Sequence, residues 1–405
     1  MRHVYIVLIS SMIIFVGCTQ LSTPEPSPTL TQPPTHTATA TNTYTPTVTI
    51  TPSPTLNPTP IGGGSGKIAF HRREAGSSTI FTYSLLDETI RMVIRLDSDD
   101  FIHLNASPDG SWLAFWVLES ATESDYHNRG SLYIVRPDGR DLIKISDKLL
   151  TSKILFYKPV HWTSDSKYLV FNEVEGYNNR FLTIYDLVKG QRKRITPSGY
   201  YPYEIKVITN DGWIFTEEYK VKIDGSEVNK LKCCEGCIEF YCAQHWAYDP
   251  NDDIIAFTDF DGVVKGSKPT GEELTTLFEL DFSENQKGEI LQSLPFYDLW
   301  QWSPNGNYLF IPASKSEVYI WDKTTDKTIR IPEELLLDNG EETAWGYNWS
   351  PDSKSIFFDK LQIGMFSTDT EKIVTEKLIY EVSTGEIKTI EGLADEEMWS
   401  PVWIP

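Results

Sequence analysis

WSPDSKSIFF, residues 349–358, decides how this chain folds. An aromatic residue closes one strand, and Ser-Pro-Asp-Ser makes a tight turn in which proline fixes φ and Asp accepts turn geometry. An apolar run then opens the next strand. The phrase recurs as ASPDGSWLAF from Ala106, WTSDSKYLVF from Trp162, YDPNDDIIAF from Tyr248 and WSPNGNYLFI from Trp302, with a weaker copy, ITNDGWIF, from Ile208. A further W-S-P begins at Trp399.

In the proline column the copies fall at Pro108, Ser164, Asn210, Pro250, Pro304, Pro351 and Pro401, spaced by 56, 46, 40, 54, 47 and 50 residues. Blades of four antiparallel strands repeat at about 40–50 residues. Two more strands belong to each unit. They are read in residues 131–146, 180–196, 316–332 and 377–392, each a strand, a polar or Gly turn and a second strand. No stretch of this region keeps a helical period, and Val, Ile, Tyr, Trp and Thr fill the strand positions. The expectation is an all-β fold, a β-propeller of four-stranded antiparallel blades, seven in number with six as the alternative. A β-sandwich does not repeat one phrase in this way.

The first strand, KIAFHR from Lys67, lacks the turn phrase that leads every later unit, and GGGSG stands in its place. The segment EMWSPVWIP, residues 397–405, is then expected to supply the missing innermost strand and close the ring, covering two sheet edges.

The phrase W-S-P-D-G-x-x-L-A-F, followed by a strand, a D-G turn and a polar strand, resembles the WD-repeat-like units of the TolB-type β-propeller family. The resemblance spans essentially all of residues 63–405. It implies the fold and an envelope setting, and for function only a general binding role. Family members described with six blades carry an additional N-terminal domain, so their partner does not transfer.

Ahead of the repeats, Met1-Arg2-His3 and the apolar run Val4–Val16 read as a signal peptide, too short to span a bilayer as a mature helix. The run ends in FVGC, which resembles the lipobox of bacterial lipoproteins and implies lipidation of Cys18. Residues 1–18 are thus read as a lipoprotein signal and 19–62 as a Thr/Pro-rich tether. So few large apolar groups cannot offset the entropy of ordering. At ~3.1 Å per residue in polyproline conformation, the tether reaches on the order of 100 Å. The expected location is extracytoplasmic, with the membrane as partner through the lipid.

The formal charge of −21 disfavours nucleic acid and anionic lipid. Four of the five cysteines, Cys233, Cys234, Cys237 and Cys242, fall in KCCEGCIEFYC. In an exported chain they read as two disulfides joining the first two to the last two, in either order. A thiolate metal site, with or without His245, and a redox pair at Cys234 and Cys237 are the alternatives.

No catalytic, cofactor-binding or metal-binding residue is assigned. There is no G-x-S-x-G and no H-E-x-x-H, GGGSGK at Gly62 fails the phosphate-loop pattern, and the clusters at Asp97 and Asp249 lack calcium-loop spacing. Tyr126, His127, Tyr200, Tyr201 and Tyr203 are candidate ligand-face residues on connections. The pattern points to a monomeric binding or scaffold module for a protein or glycan of the cell envelope. A glycan- or peptide-hydrolysing enzyme with carboxylates at a channel mouth is the alternative.

Overall fold

The computed structural model describes residues 63–74, 76–97, 102–118, 128–151, 159–175, 179–197, 205–216, 219–231, 246–258, 263–279, 300–312, 318–332, 343–362, 375–393 and 398–405. The chain divides into residues 1–56 and 57–405, and every described residue belongs to the second unit.

Strands β1 (Lys67–Glu74), β2 (Ser77–Ser84) and β3 (Ile90–Leu96) come first. β4 (Ile102–Ala106), β5 (Leu113–Leu118), β6 (Asn128–Val135) and β7 (Ile143–Thr151) follow, then β8 (Val160–Trp162), β9 (Tyr168–Glu175), β10 (Asn179–Asp186) and β11 (Gln191–Arg194). Next are β12 (Ile205–Ile208), β13 (Trp213–Thr216), β14 (Tyr219–Lys222) and β15 (Val228–Lys230), and β16 (Trp246–Asp249), β17 (Ile254–Thr258), β18 (Val263–Ser267) and β19 (Thr275–Glu279). The last are β20 (Gln301–Trp302), β21 (Tyr308–Pro312), β22 (Val318–Asp322) and β23 (Lys327–Arg330), then β24 (Thr343–Trp349), β25 (Ser355–Gln362), β26 (Thr375–Glu381) and β27 (Ile387–Thr389), and finally β28 (Trp399–Ile404). Among the described residues the only helical element is a 3-10 turn at Glu391–Leu393.

All pairings are antiparallel, and β12 to β27 form four consecutive four-stranded sheets. A fifth has the order β28-β1-β2-β3, with Lys67 opposite Ile404 and Ile68 opposite Trp403. The C-terminal strand therefore closes the first sheet. The expectation of seven separate four-stranded sheets is corrected: five stand alone, and β4 to β11 form one eight-stranded sheet. Its halves meet through one bridged pair, Leu149 opposite Glu173.

The second strand of each set is buried on both faces because sheets pack against both sides of it; β1 and β9 show the pattern. Phe70, Phe115, Phe171, Phe257, Ile311 and Phe358 occupy equivalent places in these strands, all 2 % exposed or less. Each packs into an apolar cluster shared with the preceding strands: Phe358 meets Phe310 and Ile320, Phe171 meets Ala114 and Leu132, and Phe70 meets Phe357 and Ile379. Burying a side chain of this size contributes about 1.5–3 kcal/mol.

The turn phrase has a chemical reason. Ser107, Thr163, Thr209, Ser303 and Ser350 each donate their hydroxyl to the Asp or Asn two residues on, at 2.5–2.8 Å. The same hydroxyls accept the backbone N–H of the residue that opens the next strand, at 2.9–3.1 Å. In four of these turns the Asp or Asn carboxylate or amide oxygen accepts a further backbone N–H. One short polar side chain thus satisfies groups that the reversing backbone leaves open.

Consecutive turns also touch. Asp109 N–H donates to the Ser166 hydroxyl, the Ser164 hydroxyl to Asn210, the Asn210 amide to the Pro250 carbonyl, the Asn251 amide to the Pro304 carbonyl, and Asn305 N–H to the Ser353 hydroxyl. The circle closes through residues 63–66 and 404–405: the Ser65 hydroxyl donates to the Ile404 carbonyl at 2.6 Å. A side chain at Gly64 would meet Pro405 and Pro351, and one at Gly110 would collide with the Pro405 carbonyl; both glycines have positive φ.

Tryptophans bind each phrase to the one before. The indole N–H of Trp162 donates to the Asn105 carbonyl, Trp302 to Ala247, Trp349 to Gln301 and Trp403 to Asn348, at 3.0–3.3 Å. Trp403 lies opposite Ile68 as Trp302 lies opposite Leu309 and Trp349 opposite Ile356. The last copy of the phrase is therefore Trp403-Ile404-Pro405, and the W-S-P at Trp399 belongs inside β28. This corrects the proline column by four residues: the final mark is Pro405, not Pro401.

Trp403→Phe should keep the packing but leave the Asn348 carbonyl without its donor, lowering stability by about 1–2 kcal/mol in a thermal melt. Removing residues 399–405 uncovers β1 and should abolish the single cooperative transition; a truncated protein melting like the intact one would contradict closure by β28.

Candidate functional site

Because the strands alternate in direction, the turns after first and third strands of each set share one end of the ring. These are the phrase turns and the turns after β2, β6, β10, β14, β18, β22 and β26, all four to seven residues long. The connections at the other end range from two residues, as between Glu74 and Ser77, to twenty-one between Glu279 and Gln301, and every connection longer than seven residues is there. This open end is the candidate site. Its connections contain 29 of the chain's 57 acidic residues and 6 of its 36 basic ones, so they hold more than the whole net charge of −21. The rest of the molecule is close to neutral.

Tyr126, His127, Tyr200, Tyr201, Tyr203, Cys233, Cys234, Cys237 and Cys242 fall in these connections and lie outside the described residues, as does Cys18 near the N-terminus. The structure describes instead the strand ends that bear them, and two polar clusters there.

The first cluster lies against the closing strand. His71 on β1 is fully buried, opposite Trp399, and His103 on β4 stacks on Trp116 with ring centroids 5.2 Å apart. The Ser400 hydroxyl lies 3.4 Å from Nδ1 of His103. Burial, then the neighbouring His103 and Arg73, push His71 down to about 3, against a hydrogen bond to the Ile102 backbone that raises it. Burial pushes His103 down to about 4. Both imidazoles are neutral at pH 7, so the pair supplies hydrogen-bonding groups rather than charge.

The second cluster joins the halves of the eight-stranded sheet. Glu173 has no exposed surface; its carboxylate accepts from the Ser146 hydroxyl at 2.5 Å, from Arg192 at 2.8 Å and from the Thr183 hydroxyl at 3.1 Å. Arg194 reaches Glu175 and stacks over Phe181 at 4.1 Å, and Lys148 donates to Glu175 at 2.8 Å. Arg194 and Lys148 hold the Glu175 carboxyl down to about 2. A buried carboxylate with three donors is satisfied only while all are present. Ser146 on β7 and Glu173 on β9 belong to different halves, so this hydrogen bond spans the place where the sheets join.

At the turn end, Asp249 stands where the other phrases have Ser or Thr. Its fully buried carboxylate accepts from Asn251 N–H at 2.9 Å and is neutralised by Lys323, which also pairs with Asp252 and lies 5.3 Å from the Trp302 ring centre. Among the described residues no group of three or more His, Cys, Asp or Glu side chains could hold a metal ion, and no helix is long and apolar enough to cross a membrane.

No family model matches the chain, and no curated protein matches it. Among solved structures, an oligogalacturonate lyase in complex with manganese is similar at 13 % identity over 73 % of this chain and 82 % of its own, with a TM-score of 0.51. The chain is a β-propeller. TolB from Acinetobacter baumannii is also similar, at 16 % identity over 85 % of this chain and 68 % of its own, with a TM-score of 0.44. A TolB protein from Agrobacterium tumefaciens matches at 12 % identity over 80 % and 89 %, TM-score 0.38. At these identities the likeness shows the fold of the propeller alone.

Sequence reading passed over Glu173, His71 and His103. The signal for the first was present: Asn172-Glu173 interrupts the apolar run YLVF of β9, and QRKR follows at 191–194. The histidines are isolated in sequence; β1 and β4 of successive strand sets bring them together, and the ring closure adds Trp399 and Ser400 beside them.

Two measurements check this description. Glu173→Gln should cost about 1–3 kcal/mol in denaturant unfolding, because the buried amide cannot accept from Ser146, Thr183 and Arg192 together, while the exposed Arg192 regains water. For the histidines, folded values near 3 and 4 lie below the unfolded value of 6.5. Above pH 6.5 neither state takes up the protons, and below it the unfolded chain takes up more. Stability should fall as pH drops from about 6.5 toward 4, and a His71→Asn/His103→Asn variant should show a shallower slope of melting temperature with pH.

Proposed function

We propose that this chain is a lipid-anchored, extracytoplasmic propeller of seven blades that binds a protein or glycan of the cell envelope through its open end, without catalysis. The observation that carries this reading is the difference between the two ends. One end is consumed by turns that satisfy and touch one another, whereas the other bears every long connection. Propellers commonly recognise ligands through such connections on a rigid ring.

Seven blades follow from counting each half of the eight-stranded sheet as one. Seven apolar clusters lie between successive four-strand sets, which supports that count. The anchor is Cys18 and the tether residues 19–62, and the chain joins the ring at the turn end, where a side chain at Gly63 would meet Asp352. The acidic connections favour a ligand with a basic face, and two disulfides among Cys233, Cys234, Cys237 and Cys242 would brace the longest cysteine-bearing connection. The propeller acts as a monomer.

The second reading is an enzyme that hydrolyses a glycan or peptide with carboxylates at the channel mouth. The acidic content of the open end supports it, since such chemistry needs two carboxylates at a fixed separation.

Capture from an envelope extract on the immobilised full chain should retain a partner that salt elutes. Neutralising Glu333, Glu334, Asp338, Glu341 and Glu342 to amides should weaken that retention, whereas Lys167→Gln and Lys354→Gln at the turn end should not. Retention insensitive to the open end overturns the binding reading. Turnover of wall glycans or peptides that those amides abolish selects the enzyme instead. No free thiols before reduction, and four after, are expected for the four clustered cysteines.

A further inference from the structure

The chain ahead of the ring enters it through a strand that is paired on both sides. Residues 63–66 lie against the phrase turn of the last strand set and against Pro405: a side chain at Gly63 would meet Asp352, and one at Gly64 would meet Pro351 and Pro405. The Ser65 hydroxyl donates to the Ile404 carbonyl at 2.6 Å, Leu85 N–H donates to the Gly66 carbonyl at 2.9 Å, and β1 begins at Lys67. From there β1 runs from the turn end toward the open end. On one side it pairs with β2, from Lys67 opposite Ser84 to Glu74 opposite Ser77. On the other it pairs with β28, from Lys67 opposite Ile404 to His71 opposite Trp399. Ile68, Ala69, Phe70 and His71 have no exposed surface.

Had the repeat begun with its own turn phrase, the incoming chain would have joined an innermost strand, which pairs on one side only, as β4, β12, β16, β20 and β24 do. The offset by one strand closes the ring, and it also decides how a pull is resisted. We propose that β1 is a mechanical clamp: tension between the chain ahead of the ring and a ligand held at the open end is carried in shear across two ladders at once, and the propeller withstands it without opening. The source of that tension rests on the tethered, open-end-binding reading above; the geometry of the clamp does not.

Direction of load is the physical cause. A pull on Lys67 away from the open end acts along β1 and loads the hydrogen bonds of both ladders together, so none yields until many do. A pull that parts Lys67 from Ile404 acts instead on the bond nearest the load, then on the next, and needs only the force that breaks one at a time. The ladder bonds of β1 gain further from burial on both faces, because no water stands ready to replace a partner as it leaves. What the arrangement raises is the barrier to forced opening, a rate property separate from equilibrium stability.

Single-molecule force spectroscopy on the full chain tests the clamp, with one handle always in the chain ahead of Gly62. In the first geometry the second handle is a peptide tag inserted in the two-residue connection between β13 and β14, at the open end. In the second geometry the tag follows Pro405, so that β28 is peeled from β1 starting at Ile404. At equal loading rate the first geometry should require at least about twofold more force than the second. Ser65→Ala removes the bond nearest the load in the second geometry, and should lower the force there while leaving the first nearly unchanged. Circular dichroism and a melting curve establish that each tagged protein starts with its ring intact. A handle stands in for the lipid, so the outcome is independent of lipidation at Cys18 and of what the open end binds. Equal forces in the two geometries, or a Ser65→Ala effect as large in the first as in the second, overturn the proposal.

Discussion

One hydroxyl governs this architecture. In five turns a Ser or Thr side chain donates to an Asp or Asn two residues on and accepts the N–H that opens the next strand. A tight reversal leaves backbone groups that neither strand can pair, and an alanine in that place would leave them to water or to strain. With the hydroxyl present, the turn is rigid enough to serve as a part, and parts can be set side by side. The contacts from Asp109 to Ser166 and from Asn305 to Ser353 are made by turns whose shape is already fixed. The inner end of the ring is therefore built from local chemistry repeated, and strand direction forces every long connection to the other end.

This explains what was legible in the sequence. The phrase is visible because a turn of this kind admits few residues, and strand positions are visible because β1 and its equivalents are buried on both faces while the outer strands are exposed. Closure by the C-terminal segment was readable from the absence of a lead before Lys67. Its register was not. Trp399-Ser400-Pro401 spells the phrase, yet Trp403-Ile404-Pro405 occupies its place, because the indole of Trp403 and not the spelling meets the Asn348 carbonyl. The serine that the phrase elsewhere needs is replaced there by Ile404, and Ser65, from the other end of the repeat region, supplies a hydroxyl to the Ile404 carbonyl. A turn assembled from two distant segments keeps its geometry without keeping its letters.

The polar clusters were less legible for a related reason. Glu173 is held by Ser146 and Thr183, and Ser146 lies 27 residues away on a neighbouring strand set. No spacing rule within one strand anticipates a partner across a sheet junction. The same carboxylate lies at the junction of the two halves, where Ser146 on β7 donates to Glu173 on β9 beside the one bridged pair, Leu149 opposite Glu173. His71 and His103 illustrate the same limit, since a ring closure more than three hundred residues long in sequence brings β28 against both β1 and β4.

Charge shows the opposite case, in which the whole-chain number misleads and the topology corrects it. A formal −21 read as a uniform property suggests repulsion everywhere. Distributed over the topology, the acid gathers in the connections that follow the second and fourth strands of each set. A fold that needed acid only for solubility would spread it, because dispersed charges keep a protein soluble with less mutual repulsion. Concentrating it in one class of connection leaves the rest of the chain close to neutral. Such a distribution orients approaching charged molecules within a Debye length of the surface, raising the rate of encounter more than the final affinity. The rigid turn end is what permits this separation: with its backbone satisfied internally, that end needs neither long connections nor excess charge, and both are left free for the surfaces that meet other molecules.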